Sequence, residues 1–373
     1  MKRLNILNCL MKFFQGSIFF YPALLLKELH FGGWEIGILL SIYSLTPLLF
    51  SIPAGVLNDR VNSRFLITLA LAGYSLFYCG LIFFKSFHGL IAVFIIGGAS
   101  ANFFNVSVQA LALKFVDDRE RGRSLGFFQG MAYLSYALGL VGGGFMMTSH
   151  QLVALLALSA AANLFLAVYA LFLGSSTLVS INMLEYLQDF RRPRVLIFCL
   201  VYSVFAIHWG SEASTLFLFL EGHFGFTKFQ SGLYMLAPLI VLTITTIMAG
   251  KVMDRNHIDT WKIMETGFFA SGLGMILMVN HNVYLSASMR MVHEFGDGIA
   301  AVAFLVGLSR LFRSDRIGGL SSAATFTNII ASSMGALIFS KVGEVTSYSV
   351  PVICAGISAL LASFLLYRFR ASF

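Results

Sequence analysis

Long apolar blocks separated by short polar punctuation run the whole length of the chain. Each block is about 18–25 residues, and at about 1.5 Å per helical residue that length matches the hydrocarbon core of a bilayer. The pattern predicts helical spans at 5–27, 34–57, 65–84, 89–113, 124–148, 151–173, 195–220, 229–252, 261–279, 283–309, 319–340 and 349–368. An even number of spans puts both ends of the chain on one side of the membrane. The lysines and arginines say which side. The N-terminus, the even-to-odd loops and the C-terminus hold nineteen of them; the opposite loops hold Lys27, Lys85, Lys228 and Lys341. Basic loops face the cytoplasm, so both termini are predicted to be cytoplasmic. A wrong span count would scramble this sorting, so the asymmetry supports the spans as well as the orientation.

Composition agrees. Of 373 residues, 58% are hydrophobic and 11% charged, against roughly 25% charged in a soluble domain. Too little charge is present to build an ordinary water-facing surface. An all-α, multi-pass protein of the cytoplasmic membrane is expected, in contact with membrane lipids and monomeric. The net charge of +8 is spread by topology and not gathered on one solvated face, which excludes a nucleic-acid partner. No Gly-x-x-x-x-Gly-Lys-Ser/Thr loop and no His-Glu-x-x-His motif is present, so neither ATP-driven work nor metallohydrolase chemistry is expected. No cofactor is implied, and an enzyme is not. The four cysteines, Cys9, Cys79, Cys199 and Cys354, are scattered through apolar blocks and read as small hydrophobes. Met1-Lys2-Arg3 and the apolar run after it resemble a leader, but the run is long and Lys12 interrupts it, so it is expected to stay as the first span. Trp34 and Trp261 stand at span starts and read as interfacial anchors.

One offset relates the two halves. Gly55, Asp59 and Arg60 after the second span recur 195 residues later as Gly250, Asp254 and Arg255 after the eighth. Glu120-Arg121 recurs as Asp315-Arg316, and Gly37 as Gly232, at the same spacing. Two parallel repeats of six helices follow: a bundle over 1–174, a cytoplasmic linker over 175–194 and a bundle over 195–373. Within the linker, 184–190 is predicted to be a surface amphipathic helix.

Gly55-x-x-x-Asp59-Arg60-x-x-x-Arg64 resembles the loop between the second and third helices in the major facilitator superfamily, and Asp117-Asp118-Arg119-Glu120-Arg121-Gly122-Arg123 resembles that family's loop between the fourth and fifth. The family's glycine after the Asp-Arg pair is Asn62 here, and its next basic residue is Ser63. The resemblance implies twelve helices in two six-helix bundles and a secondary transporter that works by alternating access. It implies that Gly55, Asp59, Arg60 and Arg64 form a gating loop that latches the halves in the outward-open state, with Asp254 and Arg255 as a second copy. Asp59 can accept from orphan N–H groups at a helix start, and the arginines can pair with acids or lipid phosphates. In the fifth span, Gly126, Gly139, Gly143 and Gly144, with Ser135, resemble the family's glycine-rich helix 5, although Leu140 replaces its proline. Small residues there are expected to admit a helix of the other half, and the motif leans towards export.

Ionisable groups inside a membrane are expensive and face protein or water. His208 and Glu212 lie four residues apart in the seventh span; Arg290, His293, Glu294 and Asp297 share one broad face of the tenth. The resemblance places both spans on a central cavity. Arg290-x-x-His293-x-x-x-Asp297 is similar to the tenth helix of lactose permease-like proton symporters, with the acid one position late. Glu294 or Asp297, then Glu212, are the expected carriers of a coupling proton, helped by His208, His293 and Arg290; a fixed Arg290–Glu294 pair is the alternative. Gln15, Asn102, Asn105, Gln109, Trp209 and Tyr133 are the candidates for binding a small organic solute, against interhelical hydrogen bonding. Lys12 is expected to reach back to the interface. Two other functions remain open: a transition-metal transporter using the His/Glu/Asp cluster, and a membrane sensor or assembly factor that moves nothing.

Overall fold

A computed structural model describes residues 1–18, 22, 25–26, 29–148, 152–175, 183–255, 259–313 and 316–370. Lys27 and Asp315 lie outside the described residues, as do the side-chain surroundings at positions 34, 37, 144 and 228. The long helices are α1 (Lys2–Ile18), α2 (Gly33–Arg60), α3 (Ser63–Phe83), α4 (Phe87–Phe115), α5 (Arg121–Thr148), α6 (Leu152–Ala170), α7 (Pro193–Phe224), α8 (Lys228–Met253), α9 (Thr260–Leu277), α10 (Val283–Leu311), α11 (Ile317–Val345) and α12 (Ser349–Phe369). They follow the twelve predicted spans one for one. A short helix, Met183–Phe190, occupies the predicted amphipathic stretch of the linker.

Helix ends fall where the chain supplies caps. Asn62, Asp259 and Asn282 accept backbone N–H groups at the starts of α3, α9 and α10. Thr227 and Gln230 form a reciprocal capping box on α8. Pro193 opens α7, where its missing N–H costs nothing. Gly225 ends it at φ 69°, a left-handed turn that suits a residue without Cβ.

Ten of the described helices are long and apolar enough to cross a membrane. Of the other two, α1 has 17 residues in its described part, and α9 carries Lys262 and Glu265 in its first turns. The surface is inverted relative to a soluble protein: Leu49, Phe83 and Leu337 are each at least 75% exposed, as expected when the solvent is lipid.

The chain forms two compact units. Unit 1 comprises Met1–Phe115, Met131–Met183 and Arg313–Ala323; unit 2 comprises Val116–Gly130, Leu184–Phe312 and Ala324–Phe373. The start of α5 therefore belongs to unit 2 and the start of α11 to unit 1. Within unit 1, α3 packs on α4 and α6, α2 on α4, and α1 on α6 and α4. Within unit 2, α9 packs on α10 and α12, α8 on α10, and α7 on α12 and α10. Adding six to each number of the first set gives the second, so the repeat seen in the loops is also a repeat of helix neighbours.

The glycines of α5 divide between two partners. Gly126 and Gly130 lie against Thr246, Ile247 and Gly250 of α8, which is in the other sequence half, as expected. Gly139 and Gly143 lie against Phe13 and Ser17 of α1, in the same half, which corrects the expectation for those two. A Cβ on Gly139 would overlap the carbonyl oxygen of Phe13. The change Gly139→Val is therefore expected to cost about 1–3 kcal/mol through overpacking. Gly142→Ala, whose Cβ would stand 3.5 Å from the Phe13 ring, should leave the protein unchanged. Thermal unfolding of the two purified variants in detergent checks this.

Candidate functional site

α7 and α10 bring all six ionisable candidates into one network inside unit 2. Arg290 is 2% exposed. Its guanidinium bridges the helices, with Nη1 donating to Glu212 Oε1 and Nη2 to Glu294 Oε1 at 2.6 Å. Arg290 and Glu294, paired in the alternative reading of the sequence, are thus in contact, with a second carboxylate on the same guanidinium. Asp297 collects donors from three directions: Trp209 Nε1 at 3.0 Å, Ser271 Oγ at 2.7 Å and His208 Nε2 at 3.2 Å. His293 Nε2 lies 2.8 Å from Glu212 Oε1, and its Nδ1 lies 2.9 Å from the carbonyl oxygen of Ser271.

Glycine makes this geometry available. A Cβ on Gly274 would meet the carbonyl oxygen of Met289 at 2.7 Å, and one on Gly296 would overlap the carbonyl oxygen of Gly267 and the backbone of Ser271. With no Cβ at these positions, α9 comes close enough to α10 for Ser271 to touch both His293 and Asp297. Ser271 and the donor role of Trp209 were not among the expected coupling groups. The clustered glycines at 267, 272 and 274 were the available signal, since they mark a close helix crossing.

The hydrogen-bond inventory of the two histidines is unusual. A neutral imidazole offers one donor and one acceptor. His208 has the Phe205 carbonyl at Nδ1 and the Asp297 carboxylate at Nε2; His293 has the Ser271 carbonyl at Nδ1 and the Glu212 carboxylate at Nε2. The His208 ring thus lies between two acceptors, and so does His293 when Ser271 Oγ, 3.1 Å from His293 Nδ1, gives its proton to Asp297 at 2.7 Å; in that arrangement each His–carboxylate pair needs one proton beyond a neutral imidazole and a carboxylate. Charge leads to the same count. Three carboxylates face one guanidinium, and one added proton on each pair makes the group neutral. Both imidazoles are fully buried, whereas the Glu212 side chain is 20% exposed, more than Asp297 at 10% and Glu294 at 6%.

One donor atom from each of His208, Glu212, His293 and Asp297 lies within 4.8 Å of the others, a spread that could close around a metal ion. The imidazole Nε2 atoms are already engaged. A dication ligated by them would have to break both imidazole–carboxylate contacts.

The solute candidates separate. Gln15 and Asn105 meet at Lys12, whose Nζ donates to Gln15 Oε1 and to Asn105 Oδ1, each at 2.9 Å. Gln15 also donates to Tyr74 Oη at 3.4 Å. Lys12 therefore turns sideways into the bundle and does not reach back to the interface as expected. Asn102 is buried, with its carbonyl taken by Ser51 at 2.9 Å, an interhelical bond between α2 and α4. Gln109 on α4 and Tyr133 on α5 are half-buried. Trp209 belongs to the ionic network.

The loop residues also separate. Asp59 is fully buried and accepts from Gly318 N at 3.2 Å and Gly319 N at 2.8 Å, capping α11, while Lys114 Nζ lies 2.9 Å away. Gly55 is the opening for this contact, since its Cβ would meet the carbonyl oxygen of Gly318 at 2.6 Å. Asp254 repeats the cap, accepting from Gly122 N at 2.6 Å and Arg123 N at 2.7 Å at the start of α5. Arg60 and Arg255 are exposed, and Arg64 lies over the Phe65 ring at 4.8 Å. None of the three pairs with an acid among the described residues; Asp59 instead pairs with Lys114, which the loop motif did not indicate.

The family model described as Major Facilitator Superfamily matches residues 4–281. Multidrug resistance protein 2 of Bacillus subtilis (strain 168) is 25% identical over 244 residues, covering 62% of this chain and 60% of that protein. Multidrug resistance protein 1 of the same strain is 23% identical over 336 residues, covering 84% and 83%. Among solved structures, the human organic anion transporter MFSD10 (TETRAN) superposes with a TM-score of 0.84 at 15% identity, over 97% of this chain and 98% of that one. A bacterial homologue of the iron transporter ferroportin, in an outward-facing state, gives 0.80 at 16%, over 99% of each. At such identities the two structures speak for the fold.

Proposed function

Because the chain belongs to the major facilitator superfamily, and is therefore a multi-pass membrane transporter of small molecules and not an enzyme, we propose that it carries a small organic solute across the plasma membrane by proton-coupled alternating access. Both termini are cytoplasmic in this reading, on the basic-residue asymmetry of the loops. The bundles 1–174 and 195–373 move about the linker 175–194, and the loops at Asp59 and Asp254 hold one end state. The multidrug relatives support an organic solute.

Proton coupling rests on a single observation: two buried imidazoles, each held between a backbone carbonyl and a carboxylate. Such a network binds protons in its closed form and releases them once hydrated, because water satisfies the carboxylates and screens their charge. Glu212, the most exposed of the three carboxylates, is the entry and exit point; Asp297 and Glu294 lie behind it. This order differs from the ranking expected on spacing, and exposure is the reason.

The test is flux in proteoliposomes with a pH-sensitive dye trapped inside, driven by an imposed proton gradient. Glu212→Gln and Asp297→Asn are each expected to lower coupled proton movement at least about tenfold while solute exchange persists, and Glu294→Gln to lower it less. Undiminished coupling in all three variants removes the proposal. Titration with Mn²⁺ and Zn²⁺ addresses the metal reading: stoichiometric binding that His208→Ala and His293→Ala abolish would replace proton coupling by metal transport.

A further inference from the structure

Two basic residues lie deep within spans, away from their ends: Arg290 and Lys12. They are held in opposite ways. Arg290 has two carboxylates. Lys12 has two neutral amide oxygens, Gln15 Oε1 and Asn105 Oδ1, and no carboxylate among the described residues. Amide oxygens solvate an ammonium without neutralising it. The described acids of unit 1 are committed elsewhere: Glu35 accepts from Gly32 N at the start of α2, and Asp59 holds Lys114 and the start of α11. Glu28 and Asp315 lie outside the described residues.

Depth sharpens the point. From Lys2 to Lys12 along α1, and from Asn105 to Phe115 along α4, the rise is about 15 Å each, half the hydrocarbon thickness. An ammonium there is far from either interface. Yet Asn105 is exposed and Lys12 and Gln15 are only partly covered. Lipid tails cannot face an exposed amide and a cation at that depth, so this wall lies on a water-accessible path. Lys12 has a third N–H left over after its two bonds, and the Asn105 Nδ2 group makes no hydrogen bond among the described residues. Two adjacent donors, one of them charged, match the two oxygens of a carboxylate.

We propose that Lys12, with Asn105 and Gln15, is the anchor for a carboxylate group on the transported solute, so that the substrate class is organic carboxylic acids. The inference rests on the transporter reading above and adds the chemistry of the cargo. The solute supplies the negative charge that the described acids of unit 1 withhold from Lys12, and the amides orient it. An uncompensated cation in the path also repels cationic solutes, so selectivity follows from the same residue.

The experiment uses the purified full chain in nanodiscs and a panel of aliphatic and aromatic monocarboxylates, each with its matching primary amide and amine. Ligand-induced thermal stabilisation is read for the wild type, Lys12→Met, Lys12→Gln and Asn105→Ala, after unliganded melting shows which variants are folded. Carboxylates are expected to stabilise the wild type where their amides and amines do not. Loss of the cation should weaken binding at least about tenfold, as for removal of a charged hydrogen-bond partner, and Asn105→Ala should weaken it less. If no carboxylate stabilises the wild type, or if a folded Lys12 variant binds carboxylates equally well, the inference is overturned. Gradient-driven flux separates the two readings. Uptake of a neutral or cationic solute that ignores Lys12 defeats the carboxylate anchor and leaves proton-coupled transport standing. Lys12-dependent carboxylate binding without any flux keeps the anchor and defeats transport.

Discussion

Arg290→Met should leave a protein about 3–5 kcal/mol less stable than the wild type, the range for breaking a buried ion pair from one side. The guanidinium is the fixed cation of the network, and it holds Glu212 and Glu294 from two different helices. Without it, three carboxylates remain in a nearly dry site with only the imidazoles to face them. The loss should be recoverable. Arg290→Met combined with Glu294→Gln removes one charge of each sign and leaves Glu212 with His293, so the double variant should be clearly more stable than Arg290→Met alone. The coupling energy from such a cycle separates a charge imbalance from simple loss of packing. Arg290→Lys should fall between, because a single ammonium cannot present the two-pronged fork that reaches both carboxylates. Chemical unfolding in a fixed detergent of the wild type, Arg290→Met, Glu294→Gln, their double variant and Arg290→Lys gives all five values. An Arg290→Met protein as stable as the wild type would mean that the network holds its charge in some other way, and the proton count drawn from it would fail with it.

Much of this arrangement was open to inspection in the sequence, and the reason is periodicity. Apolar blocks of bilayer length locate the spans, and a four-residue spacing puts His208 with Glu212 and His293 with Asp297 on single faces. The partner across a helix crossing is another matter. His208 pairs with Asp297 and His293 with Glu212, an exchange between helices that no spacing within one helix encodes. It depends on how α7, α9 and α10 are rotated and how closely they approach, which the glycines at 267, 274 and 296 decide. Ser271 escaped notice for that reason. Asn102 and Asn105 illustrate the same limit: one turn apart on α4, they have opposite fates, one buried against Ser51 and one exposed beside Lys12. The polar stripe was legible; the direction each residue faces was set by packing.

The two halves of the repeat should respond unequally to the same substitution. Asp59 and Asp254 each cap a helix start with two backbone N–H groups, so their motif copies look equivalent. Their surroundings are not. Asp59 is fully buried and is the ion-pair partner of Lys114, whose side chain is 2% exposed. Asp254 is only half-buried and forms no ion pair among the described residues. Asp254→Ala should therefore behave as the loss of a cap, about 0.5–2 kcal/mol. Asp59→Ala loses the cap and also strands the Lys114 ammonium, for about 3–5 kcal/mol. Pairing Asp59→Ala with Lys114→Met removes the stranded charge and should return most of the difference, leaving a deficit close to that of Asp254→Ala. The Lys114 bond to the Asn58 carbonyl at 2.7 Å is lost in that double variant, so recovery will stop short of complete. Equal losses at Asp59 and Asp254, with no recovery on removing Lys114, would show that the capping bonds alone carry the energy. In that case the buried lysine has no part in holding the start of α11, and the resemblance between the two loops extends from their residues to their energetics.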